Sequence, residues 1–168
     1  SNHSGGDYGK GGDFLYRWGN PQNYHRGNAS NQILKSPHGI NWISSGYPGG
    51  GNFIIFNNEH SNNSSAVLEI IPPINPDGNY EINTISPFGP NSYHWIHQSN
   101  FYSDKQSGAF RLPNGNTIIT STMDDVIVEV NEVNNIEWSY TGELRSARAI
   151  KYSQDYFNNE SDCNLTTD

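Results

Sequence analysis

The feature that most constrains this chain is that a four-part pattern occurs twice. Ser107–Leu112, Asn116–Ser121, Val126–Val130 and Ile136–Tyr140 each read as a short strand. Turn residues separate them: Pro113-Asn114-Gly115, Asp124-Asp125 and Asn134-Asn135. An earlier stretch follows the same plan. His38-Gly-Ile-Asn-Trp-Ile43 lies over Ser107–Leu112, Asn52–Asn57 over Asn116–Ser121, and Ala66–Ile70 over Val126–Val130, which brings Glu69 onto Glu129. Each fourth-strand segment carries a tryptophan: Trp18 in Leu15–Trp18, Trp95 in Tyr93–Ile96 and Trp138 in Ile136–Tyr140. Strand alternation alone would not bring Gly, Asn, Glu and Trp into step. A recurring antiparallel meander is the sequence signature of a propeller blade.

Composition agrees with an all-β chain. The 168 residues include 17 Gly and 9 Pro with many Asn and Ser, and no stretch sustains a helical apolar period. A net charge of −8 argues against a nucleic-acid partner, because phosphate binding needs a basic face. No apolar run is long enough to span a membrane as a helix. Cys163 is the single cysteine, which excludes a disulfide within the chain. No spacing of His with Asp or Glu marks a metal site, and no cofactor is expected.

In chain order, residues 1–12 read as a Gly-rich lead-in loop and 13–156 as a partial β-propeller. That unit comprises about two four-stranded blades and an extra outer strand at Asp13–Gly19. Pro-rich turns mark residues 71–91 as an insertion in the first blade. Residues 143–156 fit either a short amphipathic helix or an irregular packing arm. Residues 157–168 form a polar tail. A propeller needs about four to eight blades, so the remaining blades are expected upstream in a longer chain.

Several segments together resemble the bacterial arylsulfate sulfotransferase (arylsulfotransferase-like) family. They are Gly12–Gln22, His38–Ile43 with Gly49–Asn52 and Phe56-Asn-Asn58, Phe101-Tyr-Ser103, Ser107–Thr117 and Ser146-Ala-Arg148. The resemblance implies a six-bladed propeller, located in the periplasm or outside the cell. It also implies transfer of a sulfuryl group from a phenolic sulfate ester to a phenolic acceptor through a transiently sulfated histidine. The matching histidine is His38, followed by Trp42-Ile43. The family's Gln before that histidine is Pro37 here, and a second histidine of the motif is absent.

The repeat places His38 where Ser107 lies, at the start of an innermost strand, and such strands line the channel of a propeller. His38 is therefore the expected nucleophile, with Asn41 and Ser107 as expected substrate contacts. The other role open to His38 is a polar strand-start residue bonded to a nearby carbonyl. His94 and His97 flank Trp95 and read as surface residues. Arg111 is expected to bond backbone or Glu129, and the three repeated tryptophans to pack between blades. A non-catalytic secreted propeller, serving as a binding or display module, is the alternative function.

Overall fold

The structure, a computed structural model, describes residues 3–98, 100–143 and 145–156. Two four-stranded antiparallel sheets make up its ordered framework. The first contains β1 (Pro37–Trp42), β2 (Phe53–Ser61), β3 (Ser64–Ile70) and β4 (Trp95–Gln98), in that spatial order. The second contains β5 (Gly108–Arg111), β6 (Thr117–Ser121), β7 (Val126–Val130) and β8 (Ile136–Thr141), again in sequence order. The protein is all-β, and both sheets are simple meanders.

The registers carry the repeat through to single residues. Ile54 pairs with Glu69 and Glu69 with Trp95. In the second sheet Ile118 pairs with Glu129 and Glu129 with Trp138. Each sheet thus has one face carrying a glutamate beside a tryptophan. In the first sheet that face meets the second sheet: Ile54, Phe56 and Val67 share one core with Ala109, Ile119, Val128 and Val130. Its opposite face is covered by the chain ahead of β1, where Asn57 Nδ2 donates to Ile33 O at 3.0 Å and Lys35 N to Asn57 Oδ1 at 2.8 Å. Covering on both faces explains the unbroken apolar runs Phe53–Phe56 and Ala66–Leu68.

The sheets meet through β1, β2 and β5, so β1 and β5 are neighbouring edge strands. β8 is exposed along its whole length. Gly39, at φ +61°, sits at the closest approach of β1 and β5. A Cβ there would lie 2.7 Å from Gly108 Cα and 2.8 Å from Ser107 O, so a side chain has neither the space nor the backbone conformation.

Three expectations need correction. Residues 13–19 form no strand. No described strand pairs with them; Tyr16 Oη donates to Gly89 O at 2.6 Å and Trp18 Nε1 to Pro90 O at 2.6 Å, which docks the segment on the 71–91 insertion instead. Arg111 bonds backbone as expected, Nη1 donating to Gly115 O at 2.8 Å, but its carboxylate partner is Glu69 and not Glu129, because Arg111 and Glu129 lie on opposite faces of one sheet. His97 is a buried interface residue: its Nδ1 lies 3.0 Å from Asn134 Oδ1 of the second sheet, and only 3% of its surface is exposed. Residues 145–156 are an irregular arm without helix. The predicted polar tail, 157–168, lies outside the described residues.

Candidate functional site

The start of β1, the start of β5 and the arm enclose a cleft of about 320 Å³. His38, Asn41 and Ser107 all line it, joined by Gln106, Phe110 and Arg148. The three residues singled out in the sequence are therefore neighbours in space, although they stand in different ways towards a ligand.

His38 is exposed, and its ring is held at one nitrogen. Nδ1 lies 2.9 Å from Asn58 Oδ1 and 3.2 Å from Ser36 O. Asn58 is fully buried, and its amide nitrogen donates to Ser103 O at 2.7 Å and Gln106 O at 3.1 Å. Those two carbonyls decide the orientation of the amide. Nitrogen faces the carbonyls, so oxygen faces the imidazole, and both groups near Nδ1 are acceptors. In the neutral ring the proton then sits on Nδ1, and Nε2 keeps its lone pair. No described residue hydrogen-bonds Nε2.

Asn41 and Ser107 are engaged elsewhere. Asn41 Nδ2 donates to Gly39 O and to Ala109 O, each at 2.9 Å, which ties β1 to β5. Only its Oδ1 is left for a ligand, and an acceptor is unsuited to sulfuryl oxygens. Ser107 Oγ lies 2.9 Å from Ser103 Oγ and 3.2 Å from Lys105 O, and accepts from Thr122 N at 3.0 Å. Ser107 is 4% exposed. Its hydroxyl organises the turn ahead of β5, where the backbone has φ +75°.

Two contributors were not picked out as site residues in the sequence. Arg148 lines the cleft from the arm, is exposed, and its guanidinium forms no hydrogen bond or ion pair among the described residues. Asn58 fixes the histidine. Both lie inside segments that carry the family resemblance, Ser146-Ala-Arg148 and Phe56-Asn-Asn58, so the signal was present without an assigned role. The arm that presents Arg148 is held by Thr122 Oγ1 donating to Ser146 O at 2.8 Å and Ala149 N to Thr120 Oγ1 at 2.8 Å.

A second repeated contact frames the region. Asn52 Nδ2 donates to Glu69 Oε1 at 2.6 Å, and Arg111 pairs with the other carboxylate oxygen. Asn116 Nδ2 donates to Glu129 Oε1 at 2.7 Å, and Lys151 Nζ pairs with Glu129 Oε2 at 2.5 Å. The arm therefore stands to the second sheet as β5 stands to the first. Burial alone would raise the Glu129 carboxyl, but hydrogen bonds from Lys151 and Asn116 outweigh it and hold the group below the usual carboxylate range. Burial lowers the Arg111 guanidinium, and Glu69 partly restores it.

Among the described residues no group of three or more His, Cys, Asp or Glu is placed to share a metal ion. No helix of the described residues is long and apolar enough to cross a membrane. No family model, curated protein or solved structure matches the chain.

Proposed function

We propose that this chain forms two blades of an arylsulfotransferase-like propeller. In this reading His38 carries a sulfuryl group from a phenolic sulfate ester to a phenolic acceptor, outside the cytoplasm. The observation that carries the proposal is the fixed imidazole. Asn58 holds Nδ1, and His38 lines one cleft with Arg148, whose guanidinium has no hydrogen-bond or ion-pair partner among the described residues. The propeller architecture is supported by two sheets that repeat residue by residue and by an arm that repeats the position of β5.

The chemistry follows from those groups. The Nε2 lone pair attacks sulfur, the N–S bond forms and the S–O bond to the aryl group breaks, releasing an aryl oxide. The sulfated ring is an imidazolium whose Nδ1–H stays on Asn58 Oδ1. The departing aryl oxide takes a proton from solvent, and the phenol that enters afterwards gives one back to solvent as it ionises. That phenolate attacks sulfur, the N–S bond breaks, and neutral His38 returns. Arg148 supplies the positive charge that the sulfuryl oxygens need through both transfers.

The test is a reaction with a chromogenic aryl sulfate and a phenol, quenched during turnover. A sulfuryl adduct on the His38 peptide and ping-pong kinetics are expected. His38→Ala should abolish transfer without unfolding the protein, and Arg148→Ala should lower kcat on the order of a hundredfold. Turnover surviving His38→Ala refutes the role given to His38. The alternative is a non-catalytic binding propeller. It is favoured by the engagement of the Asn41 amide and the Ser107 hydroxyl within the protein, which leaves Arg148 as the one cation among the described residues that line the cleft. It predicts sulfate-ester binding with neither adduct nor turnover.

A further inference from the structure

A second cleft, of about 630 Å³, opens at the other end of β1 and β5, against the arm. It adjoins the His38 cleft through Asn41 and Phe110, which line both. We infer that this cleft binds an uncharged aromatic molecule of two or three fused rings. The inference stands apart from the sulfuryl-transfer reading, because it uses none of the groups that would carry that chemistry.

The lining decides the class of ligand. Trp42, Tyr47, Ile150 and Tyr152 form much of the wall, and Trp42, Ile150 and Tyr152 each leave about half of their surface open, at 51%, 53% and 53%. Exposed aromatic side chains gathered in a concave site are what ring-stacking ligands use. Two cations also line the cleft, Arg111 and Lys151, and both are committed to buried carboxylates. Glu69 and Glu129 are only 4% and 5% exposed, so they are closed to a ligand cation. An anion would find Arg111 enclosed against Glu69 and the half-exposed Lys151 ammonium already shared with Glu129, and a cation would find no open carboxylate among the described lining residues. Charge therefore selects a neutral guest.

Trp42 adds an independent reason. The repeat aligns it with Arg111, and the arm offers Lys151 in the same place. Those two residues serve the glutamate of the preceding sheet. Trp42 serves no carboxylate; it packs on Phe53 at 3.8 Å between ring centroids and otherwise faces the cleft and solvent. Size sets the number of rings. A cavity of about 150 Å³ holds benzene, so this cleft takes a fused-ring system with room for water near Asn114 and Ser153.

Calorimetric titration of the chain with 2-naphthol tests the inference, with naphthalene-2-sulfonate and maltotriose as competing chemistries. Saturable 2-naphthol binding is expected, with the sulfonate at least tenfold weaker and no binding of the sugar. Trp42→Ala and Tyr152→Ala should each weaken binding about five- to tenfold, while Trp138→Ala, outside the cleft, should leave it unchanged. Should Trp42→Ala fail to fold, Tyr152→Ala gives the same reading, because Tyr152 lies outside both sheets. Absence of saturable binding, equal affinity in Tyr152→Ala, or tighter binding of the sulfonate or the sugar would overturn it. Transfer is assayed separately, so naphthol binding with no turnover upholds this inference and refutes the transferase.

Discussion

The two sheets carry the same glutamate–tryptophan face, yet only one of these faces is covered. On the first sheet, Trp95 donates through Nε1 to Glu132 O at 2.9 Å, and the Arg111 guanidinium stacks 5.2 Å from its ring centroid. On the second sheet Trp138 is 49% exposed beside Ile136 and Tyr140, at 58% and 44%. The cations differ in the same sense. The Arg111 side chain is 5% exposed, that of Lys151 is 53%. A buried charge needs a partner with fixed geometry, and the planar guanidinium provides it while also stacking on the indole. A half-solvated site accepts a flexible ammonium. One sequence pattern thus yields a rigid joint where a sheet follows and a looser contact where only the arm follows.

Removing the cations should separate the two environments most strongly. Arg111→Ala leaves Glu69 buried without a countercharge, held by Asn52 alone, and should cost about 3–5 kcal/mol of stability. Lys151→Ala leaves Glu129 with Asn116 and with water in the place of an exposed ammonium, and should cost less than about 1 kcal/mol. Urea unfolding of both variants measures the difference. Equal losses would mean that the two joints are energetically alike, against their difference in burial.

The tryptophans should differ less, though in the same order. Trp95→Ala removes an indole between the sheets together with its hydrogen bond to Glu132 O, for a loss of about 2–4 kcal/mol. Trp138→Ala should stay within about 1 kcal/mol, since half of the ring already faces water. A large loss at Trp138 would show that its face is covered in solution.

Much of this comparison was legible in the sequence, and the limits have a physical origin. Turn residues and apolar runs are local signals, so the strands and their order could be read directly, as could the alignment of Glu69 with Glu129. Which face of a sheet meets its neighbour is not a local property. That is why Glu129, beside backbone, was the carboxylate expected for Arg111 and why His97 looked like a surface residue; the backbone bond of Arg111, to Gly115 O across the tight turn, is local and was legible. Residues 13–19 alternate as a strand does, but alternation supplies no partner, and their Tyr16 and Trp18 find carbonyls of the insertion instead. In the candidate site, His38, Asn41 and Ser107 were found through the motif and the repeat. Arg148 escaped because it sits on an arm without secondary structure, and Asn58 because its role is to orient another residue.

The smallest expected effect is the pH dependence of the covered joint, which the open face lacks. Burial lowers the His97 pKa, and its hydrogen bond with Asn134 opposes that only in part. The folded protein therefore binds this proton less readily than the unfolded chain, whose histidine titrates near its ordinary value of about 6.5. The stabilisation is fully present above that value and is lost as the pH falls from about 6.5 towards the lower folded pKa. His97 Nε2 is buried without a hydrogen-bond partner among the described residues, so a proton added there finds no acceptor among them. Thermal melts at pH 7.5 and 5.5 should show a drop in Tm that His97→Gln reduces, because glutamine can bond Asn134 without titrating. The mutation should shift the pH dependence by about 1 kcal/mol or less. His60, which burial also lowers but which lies outside the joint, supplies the control. If His60→Gln removes the drop and His97→Gln does not, the sensitivity belongs to the far face of the first sheet and not to the joint.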